Sequence, residues 1–278
     1  MSAINVLREE LAQTETAQFV TTMLRDISVT KLHKYRAEYE TNQKYYSELH
    51  SLMVLLQTYA HQKNIPIPEA QKPCVLIAVT ANRRFYGALN SDVVASLRKN
   101  IRKNNMCECI VIGRAGKQII ELAPITEVPV TYVSFEKDEP TSEELSVLIK
   151  MLLPYTEVTI IHPTYVNAFT QEAKIMDITH VPSKDKNTEP ILLEYIFEPD
   201  VIPMLEFFNT QIRSTLFNRV LLETQVALAG ARLMKMQRAR ERSGEILEEQ
   251  RMSLHKETST IQSMRLLEAF ASFRKGSI

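Results

Sequence analysis

The chain has 278 residues, with 33 basic and 33 acidic side chains and a formal net charge of zero. This balance excludes a nucleic-acid-binding protein that works through bulk charge, and the length allows one large domain or two ordinary ones. The sequence holds no run of about 18 apolar residues, so we expect membrane association only through other subunits.

The prolines divide the chain into three parts. All 12 prolines lie between Pro66 and Pro203. Because proline breaks helix interiors, residues 1–65 and 204–278 are predicted to form two very long helices, each about 80–100 Å at 1.5 Å per residue. We expect an antiparallel coiled-coil pair that flanks an α/β domain over residues 66–203. A helical bundle completed by helices of another chain is the alternative.

The N-terminal helix has an approximate heptad seam that is interrupted midway. Its apolar positions on either side of the interruption are Ile4, Leu7, Leu11, Leu32, Tyr35, Tyr39, Tyr46, Leu49, Met53 and Leu56. Within the interruption the same frame holds Thr14, Gln18, Thr21, Arg25 and Ser28, while the apolar residues shift to Val20, Met23, Leu24 and Ile27. The helix is therefore expected to be weakly self-packed there.

The central region alternates between apolar strands and amphipathic helices. Strands are predicted over residues 74–81, 107–113, 128–135, 157–166, 172–181 and 190–197, and helices over 88–104, 116–123 and 142–153. Thr141 or Ser142 is expected to begin the third helix. This alternation indicates a small, mostly parallel, doubly wound sheet, and therefore an α/β fold.

The turn after the first strand is where such a fold usually holds a phosphate. Here Asn82, Arg83, Arg84, Phe85 and Tyr86 precede Gly87. These bulky side chains replace the glycines that a dinucleotide or P-loop site needs, so no nucleotide site and no cofactor are predicted. The rival hypothesis is a free-standing α/β anion- or nucleotide-binding protein with helical dimerisation arms and a ligand near this turn.

Other catalytic and metal signals are weak. The three cysteines, Cys74, Cys107 and Cys109, are too few and too clustered for a disulfide framework and favour a reduced, intracellular setting. Cys107 and Cys109 lack a second ligand pair, so we expect two partly buried thiols and no metal site. Six scattered histidines lie in no catalytic motif, and His162 and His180 are predicted to be structural.

The positive signal is a basic stretch on the second long helix. It contains Arg232, Lys235, Arg238, Arg240 and Arg242. Arg25, Lys31, Lys34 and Arg36 are expected to lie opposite it in an antiparallel register. A basic, weakly self-packed helix pair would suit an enclosing acidic partner, whereas an ordinary solvated face is the alternative.

The order of long helix, small α/β domain and long helix resembles the gamma subunit of F-type ATP synthases. In "LREELAQTETAQFVTTMLRDISVTKLHK" (7–34), Arg8, Gln18, Thr21 and Lys31 fall in step with the family pattern. "VTANRRFYGALNSD" (79–92), "IVIGRAGK" (110–117), "YIFEPD" (195–200) and "QIRSTLFNRVLLE" (211–223) resemble further family segments in the same order.

The resemblance implies a Rossmann-like domain without nucleotide and a central-stalk rotor subunit that performs no catalysis itself. It would transmit torque between the c ring and the alpha–beta hexamer of a proton- or sodium-transporting ATP synthase. The implied partners are three alpha and three beta subunits, an epsilon subunit and the c ring, with no nucleic acid. The implied location is peripheral, on the cytoplasmic face of the cell membrane. A gamma-derived scaffold that does not rotate is a further alternative.

The resemblance also implies contact residues. Those toward the hexamer are Arg8, Met23, Leu24, Arg25, Lys31, Arg232, Lys235, Arg238, Arg240 and Arg242. Those toward the c ring or the epsilon subunit, at the foot, are Tyr45, Tyr46, Phe197, Glu198 and Asp200. The family's basic residue before its A-M pair is replaced by Thr22, and its A-T-D-N-A segment by residues 239–243. These departures fit a divergent gamma subunit of an alternative F-type ATPase better than a housekeeping one.

Overall fold

The computed structural model describes residues 3–63, 65, 72–83, 86–103, 107–136, 139–167, 170–178 and 200–275. The five helices in these residues are α1 (Ala3–Gln62), α2 (Leu89–Ile101), α3 (Arg114–Leu122), α4 (Ser142–Leu152) and α5 (Val201–Lys275). The five strands are β1 (Lys72–Val79), β2 (Glu108–Ile112), β3 (Val130–Val133), β4 (Tyr155–Tyr165) and β5 (Gln171–Asp177). The predicted strand over residues 190–197 lies outside the described residues.

Two very long helices flank the sheet, as the proline distribution predicts. α1 has 60 residues and α5 has 75. Pro203 falls in the first turn of α5, where its missing N–H costs no helical hydrogen bond. No helix in the described residues combines the length and the apolar character that a membrane crossing requires.

The sheet has the strand order β3-β2-β1-β4-β5. β1 pairs in parallel with both β2 and β4, and β2 pairs in parallel with β3, whereas β5 runs antiparallel to β4. Chain order therefore moves outward from β1 to β3 and then returns to the other side of β1. This is a doubly wound, mostly parallel sheet, and the α/β prediction is confirmed.

The two faces of the sheet are buried by different helices. Val75, Ile77 and Val79 of β1 pack into one cluster with apolar residues of α1, α4 and α5. Leu76 and Ala78, which alternate with them, pack against α2 and α3 on the opposite face. A strand buried on both faces must be apolar throughout, which explains the unbroken apolar run that identifies β1 in the sequence.

The predicted start of α4 is also confirmed. Thr141 Oγ1 accepts a hydrogen bond from the Glu144 backbone N–H at 3.2 Å, and Glu144 Oε2 accepts one from the Thr141 N–H at 2.8 Å. This reciprocal capping box satisfies N–H groups that have no partner within the helix.

The described chain forms two compact units. The terminal unit comprises Met1–Ser28 and Leu233–Ile278, and the sheet unit comprises Val29–Arg232. In each unit α1 and α5 run antiparallel: Arg251 contacts Glu15 at 2.8 Å in the terminal unit, and Arg219 contacts Tyr39 at 3.0 Å in the sheet unit. The coiled-coil pair is confirmed, while domain boundaries at residues 65/66 and 203/204 stay a prediction.

A disulfide between Cys74 and Cys107 corrects the expectation of free thiols. Their Cα atoms lie 4.8 Å apart, while Cys109 is a free, buried cysteine. The sequence suggests a cluster of Cys107 with Cys109, but the parallel register places Val75 opposite Glu108, and hence Cys74 beside Cys107. In the residues described, no group of three or more His, Cys, Asp or Glu side chains is arranged to hold a metal ion.

Candidate partner-binding surface

Between Thr14 and Ser28, the residues of α1 that face the seam of the terminal unit are polar. The α1 residues in the heptad frame, Thr14, Gln18, Thr21 and Arg25, are partly buried, and Ser28 is buried. The same face of α1 therefore points to the seam throughout. The predicted interruption is a change from apolar to polar side chains on that face, and the helix does not rotate. The Thr21 hydroxyl donates to the Gln18 carbonyl at 2.9 Å and the Ser28 hydroxyl to the Leu24 carbonyl at 2.7 Å, so both bonds stay within α1.

Little apolar area holds this helix pair together. Among the described residues of the terminal unit, the buried apolar side chains are Met236 and Leu247. The ion pair between Arg251 and Glu15 is exposed, and exposed pairs contribute about 0–1 kcal/mol. Since most helical stability in proteins comes from packing of an apolar face, the terminal unit is poorly stabilised by its own contacts.

The apolar residues that are missing from the seam lie on the outer side of α1. Phe19, Val20, Met23 and Ile27 have exposed fractions between 46% and 66%. At about 100° per residue, they fall within one sector roughly opposite the seam. We call these four residues the apolar stripe. A contiguous exposed apolar patch on a folded protein typically marks a surface that a partner covers.

The basic stretch of α5 is exposed beside this unit's seam. Lys235, Arg238, Arg240 and Arg242 are all exposed, and Arg242 pairs with Glu245 at 2.9 Å. Among the other predicted hexamer contacts in this unit, Arg8 is exposed, Met23 belongs to the apolar stripe and Leu24 is partly buried. The terminal unit therefore exposes apolar residues on α1 and basic residues on α5.

The register between the helices differs from the expected one. Gln18 of α1 lies beside Gly244 of α5. Because the helices are antiparallel, Arg25, seven residues after Gln18, is at the level of Gln237, seven residues before Gly244. Arg25 itself is bonded to Asp26 at 2.6 Å. Lys31, Lys34 and Arg36 belong to the sheet unit, together with Arg232, whereas Arg25 and the other members of the basic stretch belong to the terminal unit. Within the terminal unit, the predicted basic residues of α1 are therefore reduced to Arg25.

Three residues of α1 in the sheet unit converge on Glu139. The carboxylate accepts hydrogen bonds from Lys31 Nζ at 3.3 Å, from Lys34 Nζ at 3.2 Å and from the hydroxyl of buried Tyr35. The Tyr35 hydrogen bond, with help from the two lysines, lowers the pKa of Glu139 to about 2. The same pairing raises the pKa of Lys34, chiefly through its hydrogen bond to Glu139. Lys31 thus contacts the loop before α4.

Two arginines in the sheet unit stack on tyrosines of the α/β fold. Arg232 Nη2 donates to the Tyr86 hydroxyl at 2.7 Å, and its guanidinium carbon lies 4.6 Å from the ring centroid. Arg36 lies 4.8 Å from the ring centroid of Tyr165 in the same manner. Tyr86 also packs in a buried cluster with α5 residues, so the turn after β1 is anchored on α5. Tyr86 therefore has a structural role in this turn.

The N-terminus of α3, where a phosphate could bind, is already filled. Its Arg114, Ala115 and Gly116 N–H groups bond to the side chain of Asn82 at 3.1 Å, the carbonyl of Ala81 at 3.0 Å and the Thr80 hydroxyl at 2.9 Å. At Gly113, φ is +100° and an added Cβ would lie 2.2 Å from the Thr80 carbonyl oxygen. α5 covers the adjoining strand ends and leaves a cavity of about 10 Å³, which has room for one water at most.

The predicted foot residues are only partly in the described chain. Tyr45 is exposed and its hydroxyl accepts a hydrogen bond from Gln211 at 3.1 Å. Tyr46 packs against the core, and burial raises its pKa. Asp200 is exposed just before α5, whereas Phe197 and Glu198 lie outside the described residues.

Two anchors of the sheet unit have no signal in the sequence. Glu139 is one, and the buried Arg213 is the other: its Nη1 donates to the carbonyls of Leu152 and Leu153 at 3.3 Å and of Tyr155 at 3.2 Å. Burial lowers the pKa of Arg213.

His162, predicted to be structural, is fully buried with Nδ1 3.1 Å from the Pro163 carbonyl, and burial lowers its pKa. A pattern of local spacing carries no information on such long-range contacts.

A doubly wound α/β sheet that packs one face against two long antiparallel helices, with an apolar stripe on the weakly self-packed part of the pair, defines a coiled-coil protein suited to work inside a larger assembly. The family model described as "ATP synthase" matches residues 3–258. The chain belongs to this family, as a member of the ATP synthase gamma subunits.

Relatives and solved structures agree with this assignment. The ATP synthase gamma chain of Symbiobacterium thermophilum is 24% identical over 87% of each chain, and that of Halothermothrix orenii is 20% identical over 92% of this chain and 93% of its own. A chain in the central stalk and c-ring structure of the Tetrahymena thermophila mitochondrial ATP synthase has the same fold, with a TM-score of 0.59 and 14% identity over 79% of this chain and 99% of its own. A rotor chain of the Euglena gracilis mitochondrial ATP synthase matches with a TM-score of 0.58 and 14% identity, over 93% of this chain and 98% of its own.

Proposed function

We propose that this chain is the central-stalk rotor subunit of a membrane F-type ATP synthase or ATPase. In this proposal ion flow turns the c ring, the ring turns this chain, and its helix pair drives the catalytic sites of an alpha–beta hexamer through their states in sequence. The observation that carries the proposal is the inverted chemistry of α1 over residues 14–28 of the terminal unit, where polar residues face the seam and the apolar stripe faces outward.

Inverted chemistry favours a helix pair that is enclosed by other chains. A free-standing pair would gain stability from apolar side chains in its seam, and an outward apolar stripe would promote aggregation. Inside a collar of other subunits the stripe is covered, and the collar supplies the packing that the seam lacks. The family membership of the chain supports the alpha and beta subunits as that collar.

The exposed basic residues of α5 add an electrostatic component to this contact. Lys235, Arg238 and Arg240 are exposed on the same unit as the apolar stripe. A rotor must move relative to its collar, and broad ionic contacts, which salt screens, permit sliding more readily than deep apolar docking. We therefore assign these cations, with Arg8 and Met23, to the hexamer contact.

The remaining partners are assigned to the sheet unit. Tyr45 and Asp200 are exposed there and would contribute to a foot that contacts the c ring or the epsilon subunit. Attachment to the membrane would be peripheral, through those subunits, on the cytoplasmic face. In this assignment ATP binds and reacts on other subunits, and this chain contributes the mechanical coupling.

The test is purification of the tagged full-length chain from its native membranes, with identification of the copurifying subunits and an assay of their ATPase activity. Membranes that express the untagged chain are the matched control. Alpha and beta subunits in threefold excess over this chain, with ATPase activity, are the expected result. If the chain is recovered alone or as a dimer, the rotor proposal is wrong. If the subunits copurify but ATP hydrolysis drives no ion transport, the chain is a scaffold and does not rotate.

A further inference from the structure

We propose that Cys74 and Cys107 form a reversible thiol–disulfide exchange site, which small-molecule disulfides of the glutathione type oxidise and dithiols reduce through the sulfur of Cys74. This inference concerns the chemistry of the sheet unit and does not depend on the proposed rotor function.

The first support is the geometry of the paired strands. β1 and β2 are neighbours in parallel register, and Val75 opposite Glu108 places the preceding residues, Cys74 and Cys107, side by side. Their Cα separation of 4.8 Å lies within the range that a disulfide spans without backbone movement. The ladder between β1 and β2 begins at the next residue pair, Val75 with Glu108, so paired strands adjoin the bond whether it is open or closed.

The second support is the unequal access to the two sulfurs. Cys74 is partly exposed, whereas Cys107 has an exposed fraction of 5%. A thiolate must approach the sulfur that it attacks, so solvent access directs attack to Cys74 and makes Cys107 the leaving group.

The exchange balances as two substitutions at sulfur. In reduction, one thiolate of the dithiol attacks Cys74 Sγ, a mixed disulfide forms, and Cys107 leaves as a thiolate that takes up a proton. The second thiolate of the dithiol then attacks the reductant's own sulfur in that mixed disulfide, which closes the reductant into a disulfide and leaves Cys74 as a thiol. Two electrons and two protons pass to the cysteines. Oxidation by glutathione disulfide is the reverse sequence and yields two molecules of glutathione.

The third cysteine is separated from this exchange. Cys109 lies two residues after Cys107, in β2, where it pairs with Leu76 of β1. Its exposed fraction is 1%. Burial raises the pKa of its thiol to about 12, so it stays protonated and does not act as a nucleophile. Cys109 therefore serves as an internal reference for any thiol measurement.

The bond has a mechanical consequence for the sheet unit. It joins residues 33 apart and closes a loop that contains α2. By loop-closure entropy, a closed loop of this size shifts the unfolding equilibrium about 500-fold toward the folded state. Reduction would thus loosen the β1–α2–β2 segment at the amino ends of the strands, while the strand ladder remains paired.

The test equilibrates the full-length chain in glutathione mixtures of increasing oxidised fraction, followed by acid quenching, alkylation with N-ethylmaleimide and peptide mapping by mass spectrometry. Two cysteines should change together and reversibly, in one linked peptide pair containing Cys74 and Cys107, and the Cys109→Ser variant should behave like the wild type. A Cys107–Cys109 pair, three alkylated thiols at every mixture, or a bond that native protein keeps at every dithiothreitol concentration would each overturn the proposal.

The direction of attack is tested with matched single variants in the same full-length chain. In Cys107→Ser, glutathione disulfide should modify Cys74 at least about tenfold faster than it modifies Cys107 in Cys74→Ser, because thiol reactivity follows access. Equal rates would refute attack at Cys74. The wild-type titration requires no variant, so a folding defect in either single variant leaves the main test decisive.

Discussion

Replacement of Phe19 by glutamine tests whether the apolar stripe is a partner contact. Phe19 is the most exposed member of the stripe, with an exposed fraction of 66%. A phenylalanine can bury about 200 Å² in total, so a covering partner would remove about 130 Å² from water. At about 25 cal/mol per Å², this burial contributes about 3 kcal/mol, and Phe19→Gln should weaken binding to an alpha–beta subcomplex about 100-fold.

The same substitution should leave the isolated chain unchanged. Phe19 makes little buried contact within its own unit, and glutamine is a good helix former, so the free energy of unfolding should change by less than about 0.5 kcal/mol. Leu122→Gln is the matched control, because Leu122 is 88% exposed but lies at the end of α3 in the sheet unit. It should alter neither the binding affinity nor the free energy of unfolding.

The assay is a titration of each purified full-length variant against the alpha–beta subcomplex, with urea unfolding of the same preparations. Equal affinity of Phe19→Gln and wild type would refute the stripe as a contact surface. Unfolding of the free chain by Phe19→Gln would show that the side chain is packed within the chain, which would also refute the reasoning.

Three further predictions concern stability. The pKa of Glu139 falls from an ordinary 4.5 to about 2 in the folded chain, so its stabilising contribution is present above pH 4.5 and is lost as pH falls toward 2. Thermal melts should therefore show a larger loss between pH 5 and pH 3 for wild type than for Glu139→Gln, by a modest amount because the carboxylate is partly exposed; equal losses would contradict the role of the cluster. Gly113→Ala should destabilise the chain by about 2 kcal/mol or more in urea, since φ is +100° and the new Cβ meets the Thr80 carbonyl. Gly244→Ala should instead stabilise the chain by about 0.5–1 kcal/mol, because the new Cβ would lie 3.5 Å from Gln18 Nε2, an ordinary contact distance. A lower free energy of unfolding for Gly244→Ala would show that the helices are too close there for an added methyl group.

The architecture could be predicted because its signals are local. Proline and glycine punctuate the chain, so the absence of proline from residues 1–65 and 204–278 identifies the long helices. Apolar runs bounded by amphipathic segments identify β1 to β5 and the intervening helices in the same way. The structure moves their ends by a few residues, as expected where hydrogen-bond geometry sets the boundary.

The contacts within the sheet unit could not be predicted because they depend on register. The partner of Cys74 is set by the pairing of β1 with β2, which no spacing along the chain specifies. Glu139 and Arg213 look like ordinary loop and helix residues in the sequence, and only folding brings them to Tyr35 and to the end of α4. Charge alone also gave no indication that the neighbours of Lys31 and Arg36 within the chain are Glu139 and Tyr165.

The surface of the terminal unit could be predicted only in part. The sequence indicated an interrupted apolar frame, and the structure then located the apolar side chains on the exposed side of α1. The failure of the apolar frame between Leu11 and Leu32 was evident, but two outcomes were consistent with it: rotation of the helix, or retention of the frame with polar contacts. The structure has the second, since Ser28 is buried while Met23 is 49% exposed. Rotation would have buried the apolar stripe against α5 and left no surface for a partner.

Retention of a polar seam links the stability of the terminal unit to assembly. A partner that binds only the folded helix pair stabilises it in proportion to the logarithm of its concentration over its dissociation constant. Because Met236 and Leu247 supply the buried apolar contacts among the described residues of this unit, we expect that linkage to form a large share of its stability. The sheet unit differs, since buried apolar residues on both sheet faces, the capping box of α4 and a buried arginine stabilise it internally. Within one chain, the unit that packs on itself is thus separated from the unit that other chains must complete, and substitutions in the two units should affect different measurements: folding in the first and assembly in the second.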